Sequence, residues 1–95
     1  MKIIWTNSAL NDINLSISYI AKSSPKNAHK VLITIKELVN ALDTFPYAYP
    51  IEPVFNKDDV RFIAKWNFKI IYRITKNQIQ ILRIFNTKQS PEKLQ

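Results

Sequence analysis

Arg61 in VRFIA, Lys69 and Arg73 in FKIIYRIT, and Arg83 in IQILRIFN are cations set into apolar runs where a purely structural strand would carry Val or Thr. Guanidinium and ammonium groups so placed suit the binding of carboxylates and phosphates through charge-assisted hydrogen bonds. Two readings compete. The cations either pair with the chain's own seven acids and snorkel from the sheet edges, or they are kept for a partner, since unpaired charges are rarely left inside a sheet. Only Asp58 and Asp59 lie nearby in sequence, which favours a partner for Arg61, Lys69 and Arg73 and leaves Arg83 open between the two. Lys69 and Arg73 fall on one face of one strand, where a single carboxylate or phosphate of a partner is expected to bridge them. Glu52, between Ile51 and Pro53, is an isolated acid in a proline-rich loop. His29 stands beside Lys30 with no cysteine and no second histidine to join it, so it reads as a solvated or packed side chain and not as a ligand or catalyst.

Composition narrows the classes. Ninety-five residues, 46% of them hydrophobic, make one domain with a real core. No apolar run approaches the ~20 residues of a membrane span, and the start MKIIWTNSAL has no long apolar core, so the expected location is the cytoplasm. The absence of cysteine excludes disulfides and Cys-based zinc sites, and one histidine alone makes no metal site. The absence of glycine excludes the phosphate-cradling loops of common nucleotide-dependent enzymes. No cofactor and no metal are expected. A net charge of +7 and a pI near 9.8 point to an acidic partner, nucleic acid or protein, or else to a surface that only keeps the chain soluble.

The elements that must position these residues are centred on Phe68 to Asn86, two β-rich runs separated by Lys76 and Asn77. A two-residue turn there sets Thr75 opposite Gln78, Arg73 opposite Gln80 and Ile71 opposite Leu82. One face, the core candidate, then holds Phe68, Ile70, Tyr72, Ile74, Ile79, Ile81 and Phe85, while Lys69, Ile71, Arg73, Gln80, Leu82 and Ile84 lie on the other. Arg83 falls on the core face in this register, unless a bulge or a three-residue turn moves it across.

Upstream, Lys2 to Trp5 is a short strand, followed by the N-cap candidates Thr6, Asn7 and Ser8 and a helix with a Leu10, Ile13, Ile17, Ile20 stripe. Ser24-Pro25 caps a second helix, whose apolar period through Ala28, Val31, Leu32, Ile35, Leu38, Val39 and Leu42 runs to near Asp43. Prolines 46, 50 and 53 make the next stretch an extended loop. Its Phe45, Tyr47 and Tyr49 suit either base stacking or sealing of a core edge, the second being favoured. Val60 to Ala64 is a further strand, and residues 87–95 form a polar tail. The expected fold is α+β: a two-helix hairpin on one face of a small, mostly antiparallel four-stranded sheet, in the order β-α-α-β-β-β.

The chain, 1–95 as a single domain, resembles the RelE/ParE superfamily of small bacterial toxins from type II toxin-antitoxin systems, often labelled plasmid stabilisation proteins. The marks are Trp5 ending the first strand with Ala9 opening the helix, Tyr19-Ile20 at that helix's end, the Phe45-Pro46 loop, and Arg61 in VRFIA. To these are added Ile70-Ile71-Tyr72-Arg73-Ile74, and Ile81-Leu82-Arg83-Ile84 leading to Gln89-Ser90-Pro91. The resemblance implies either of two activities. One branch cleaves mRNA in the ribosomal A site; the ParE branch acts on DNA gyrase without evident catalysis of its own. Lys69 matches a basic strand position of the nuclease branch and Glu52 resembles the loop acid of some nucleases, so Glu52, Lys69 and Asn86 are the candidates if the chain is a nuclease. Cutting RNA through its 2′-OH needs a base, an acid and cations, and nuclease members carry His, Tyr or Arg where this chain has Phe85, Asn86 and Thr87. None of these three is an effective proton donor or cation near pH 7. The gyrase-directed reading is therefore preferred, with the ribosome-dependent endonuclease as the alternative and a non-toxic basic nucleic-acid-binding module as a second. Arg61, Lys69, Arg73 and Arg83 are the candidates for binding the target or an acidic antitoxin in a hetero-oligomer.

Overall fold

A computed structural model describes residues 1–87 of the chain; the expected tail lies outside them beyond Thr87, and the Gln89-Ser90-Pro91 piece with it. The elements are β1 (Lys2–Trp5), α1 (Asn7–Ala21), α2 (Pro25–Asn40) with a 3₁₀ turn (Ala41–Asp43), β2 (Val60–Lys65), β3 (Phe68–Ile74) and β4 (Gln78–Asn86). The strands form one four-stranded sheet in the order β1-β4-β3-β2. β1 runs parallel to β4 and the other neighbours are antiparallel, so the expected α+β architecture holds.

Both helices start where their caps predict. The Thr6 hydroxyl accepts the Ala9 amide at 3.2 Å and the Ser24 hydroxyl accepts the Asn27 amide at 3.1 Å, each satisfying an amide that the helix leaves unpaired. α2 buries Ala28, Val31, Ile35 and Val39 of its predicted stripe; Leu42 is buried in the 3₁₀ turn, and Leu32 and Leu38 pack partly buried against the core. α1 is rotated relative to expectation: Ala9, Ile13 and Ser16 are buried while Leu10 is 44% exposed. Small residues at 9 and 16 let the helix lie close on the sheet, and the bulkier Leu10 is displaced to the rim.

The β3–β4 hairpin follows the predicted register from the Lys76-Asn77 turn through Ile74↔Ile79, Arg73↔Gln80 and Tyr72↔Ile81. It then slips. Ile71 pairs with Arg83 and not with Leu82, because Leu82 is an extra, bulged residue. Every side chain of β4 beyond it changes face. Ile84, expected outside, is buried beside Ile70 in the core, while Phe85, expected inside, lies opposite Lys69 on the other face with Arg83. The bulge is held by α1. The Thr6 hydroxyl bonds the carbonyls of Ile81 and Leu82 at 2.7 and 3.1 Å, and Asp12 accepts the Ile84 amide at 2.9 Å together with the Arg83 guanidinium at 2.8 and 3.1 Å. These side chains take the place of the ladder that β1 ceases to supply after Trp5.

Tyr72 lies at the centre of the helix-facing side, fully buried, and its hydroxyl donates to the Pro46 carbonyl at 2.6 Å. Burial pushes the phenol up to about 12, with the Arg61 charge opposing and Tyr49 adding to the rise, so it stays a donor. Two substitutions test this account by urea denaturation. Tyr72→Ala is expected to lose about 3–5 kcal/mol, as for other large-to-small core aromatic changes. Asp12→Ala is expected to lose about 1–3 kcal/mol through the orphaned Ile84 amide, and Asp12→Asn, which keeps an acceptor, less.

Candidate functional site

The loop between the 3₁₀ turn and β2 brings the cations and acids together. Its prolines bar helix and regular strand, but it runs beside the free edge of β2: Ile51 bridges Arg61, the Glu52 amide donates to the Val60 carbonyl at 2.9 Å, and the Phe62 amide donates to the Pro50 carbonyl at 3.1 Å. The loop thus straddles that edge and sends side chains to both faces of the sheet.

On the face away from the helices sits Glu52, 1% exposed. One carboxylate oxygen accepts Lys69 Nζ at 2.7 Å; the other accepts the Val54 and Phe55 amides at 2.8 and 3.0 Å. Burial pushes this carboxyl up, but the Lys69 hydrogen bond, the two amides and the Lys69 charge together outweigh it and hold the group below its ordinary value of 4.5. The same ammonium lies 4.7 Å from the centre of the Phe62 ring, a cation–π contact at a partly buried site. Glu52 is therefore an anchor for residues 52–55.

The other cations are also engaged. Arg61 donates to the carbonyls of Asp58, Tyr47 and Tyr49 at 3.0, 3.3 and 3.0 Å and to the Asp58 carboxylate at 2.6 Å, with its guanidinium 5.0 Å from the Tyr47 ring centre. Arg83 is clasped by Asp12, whose hydrogen bond raises the guanidinium's already high pKa. Arg73 is the exception in quality. Its nearest acid, Asp59, is 3.7 Å away, and its Nε is buried without a hydrogen bond.

The sequence-predicted residues therefore separate into groups. Arg61 pairs across the sheet with Tyr72, which puts it on the helix-facing side, apart from Lys69, Arg73 and Arg83. Lys69 and Arg73 do share a face, but at four residues' separation they stand ~13 Å apart along β3, too far for one carboxylate to bridge. Asn86 pairs with Phe68 and is buried on the helix-facing side, across the sheet from Glu52 and Lys69. Of the loop aromatics, Tyr49 packs on the core with an edge-on contact to Tyr72 at 6.5 Å, while Phe45 and Tyr47 are 66% and 54% exposed. His29 is exposed.

Sequence reasoning missed Asp12, because its partner lies 71 residues away. Trp66 and Asn67 form the expected connection between β2 and β3, as a tight turn in which Trp66 has φ of 53°, a conformation no sequence signal marks. A left-handed backbone costs a residue with a Cβ roughly 1–2 kcal/mol, less for Asn, which takes the other positive φ of the described chain at Asn56.

The sequence matches the family described as "ParE toxin of type II toxin-antitoxin system, parDE" over residues 3–91. Among solved structures it is similar to one titled "Chromosomal ParDE TA system from P. aeruginosa", with a TM-score of 0.74 and 27% identity over 93% of this chain and 97% of that one. No curated protein matches it.

The depressed Glu52 carboxyl makes a pH prediction. Because its folded value lies below the unfolded one, its contribution to stability is complete above pH ~4.5 and is lost as pH falls through the lower folded value. Urea midpoints across that range should fall more steeply for the wild-type chain than for Glu52→Gln. The variant should itself be less stable at neutral pH by about 1–3 kcal/mol, since Lys69 loses its charged partner.

Proposed function

Since the chain belongs to the ParE toxin family and is a type II toxin, we propose that it arrests growth through DNA gyrase and is held inactive by an acidic antitoxin. The observation that carries the gyrase reading over mRNA cleavage is the separation of the nuclease candidates. Glu52 and Lys69 neutralise one another on one face of the sheet and Asn86 lies on the other, so these three residues make no acid–base pair about one reacting phosphate. General acid–base catalysis requires both groups within hydrogen-bond reach of the reacting atoms.

An antitoxin contact is best supported on the sheet face away from the helices and on the loop beside it. Arg73, whose side chain is 34% exposed and whose nearest acid, Asp59, stands 3.7 Å away, is the least tightly held of the sheet cations and suits a partner's carboxylate. The adjoining loop exposes Phe45, Tyr47, Val54 and Phe55, apolar area that an amphipathic antitoxin segment can cover when it folds on binding. Among the described residues no helix is long and apolar enough to cross a membrane, and the proposed site of action is the cytoplasm.

The purified chain is expected to inhibit gyrase supercoiling and to leave mRNA on programmed ribosomes uncut; mapped cuts at A-site codons with supercoiling unaffected would sink the proposal. Arg73→Gln tests the contact surface. It should weaken antitoxin or gyrase binding by about 1–3 kcal/mol, less so in high salt, while the fold loses under ~1 kcal/mol. If instead the variant melts as early as Tyr72→Ala, Arg73 serves the fold.

A further inference from the structure

At the end of the molecule where the β2–β3 turn meets the α1–α2 hairpin, a groove is lined by Tyr19, Ile20, Asn27, Lys30, Trp66 and Asn67. We propose that this groove binds single-stranded nucleic acid, with Trp66 and Tyr19 stacking on bases and Lys30 and Lys65 holding the adjoining phosphates. The inference goes beyond the gyrase reading and stands or falls without it.

Three observations converge on this ligand. The first is charge. Asp12, Asp43, Glu52, Asp58 and Asp59 are each committed to an ion pair, whereas Lys22, Lys26, Lys30 and Lys65 have no acidic partner among the described residues. Lys30 lines the groove, and Lys22, Lys26 and Lys65 each lie within two residues in sequence of another lining residue. Lys26 and Lys30 are one turn apart on α2, hence on one stripe of the helix, and Lys65 directly precedes Trp66. Among the described residues no acid lines the groove, and Glu37 lies ~10 Å further along α2 from Lys30. An anionic ligand is attracted to such a surface.

The second observation is the aromatic pair. Tyr19 and Trp66 are 53% and 52% exposed, and such rings stack on any base because every base offers a π-face. Lys65 Nζ lies 5.1 Å from the Trp66 ring centre, a cation beside the stacking surface where the phosphate of a stacked nucleotide would pass. Asn27 and Asn67 add amide donors and acceptors that match the edges of unpaired bases. An acidic peptide would use the lysines and leave rings and amides idle.

The third is the backbone. Trp66 occupies a left-handed conformation at a turn position that hairpins fill with Gly or Asn, and its half-exposed ring recovers little of that strain through burial. Strained residues of this kind collect at ligand sites.

Anisotropy titrations of the purified chain with labelled oligothymidylate and oligouridylate of about a dozen nucleotides test the proposal, with a duplex of equal length and polyglutamate as competitors. Single strands should bind more tightly than the duplex or polyglutamate, and the ratio between the two single strands identifies DNA or RNA as the preferred source. Trp66→Gly should weaken binding about tenfold with an unchanged or higher melting temperature, because glycine suits the turn. Lys30→Glu, at an exposed position, should weaken it in a salt-dependent way. Absence of single-strand binding, equal affinity for the Trp66→Gly chain, or competition by duplex or polyglutamate as strong as by the single strands would each overturn it. Supercoiling inhibition by the same Trp66→Gly preparation reads the gyrase proposal separately.

Discussion

The Leu82 bulge sets what each face of the sheet presents. Without it, Arg83 would point into the helix layer, where an ionised guanidinium has no water and costs several kcal/mol unless fully paired. Ile84 would lie outside. With it, Ile84 joins Ile70 and Tyr72 in the core and Arg83 reaches the Asp12 carboxylate at the rim. A bulge leaves backbone groups outside the ladder, and in this chain the first two turns of α1 supply their partners through Thr6 and Asp12. Helix capping, sheet register and burial of the last strand are thus one coupled arrangement. Thr6 serves as both the N-cap of α1 and the clamp on β4.

Most of the fold was legible because local signals agreed with one another. Thr6, Ser24-Pro25, the 3.6-residue period of α2 and the Lys76-Asn77 turn each specify a boundary from a few neighbouring residues, and the structure keeps them all. Legibility failed where the deciding partner was remote. The bulge depends on side chains of α1 about seventy residues from β4, so sequence alone left Arg83 undecided and placed Ile84 and Phe85 on the wrong faces. The candidate site shows the same limit: that cations sat in the strands could be read directly, but their partners could not. Glu52 reaches Lys69 only because the proline-rich loop doubles back along β2, a path that three prolines permit without dictating.

Charge is consequently distributed in two populations. In the sheet Arg61, Lys69, Arg73 and Arg83 each face a carboxylate supplied by the loop or by α1, and those pairs fasten irregular backbone to regular strands. Because Glu52 is buried, with Lys69 partly so, and ties into two further amides, that pair is less screened by salt than an exposed one; the Arg61–Asp58 pair, with Asp58 78% exposed, contributes mainly through the carbonyls that Arg61 also holds. The lysines at the hairpin end carry charge without such a duty.

The parallel pairing of β1 with β4 has a consequence in time. Lys2 to Trp5 finds its partners only at Gln78 to Ile81, and α1 packs on β4 more than on any other strand. Contacts of such long sequence separation form late and slowly, because nearly the whole chain must be looped to close them. At typical elongation rates of about 5–20 residues per second, the first strand and first helix wait several seconds on the ribosome before the strand that completes them has been made. Until then the N-terminal third has no sheet of its own to fold against, so its packing, and whatever it binds, waits on the emergence of β4.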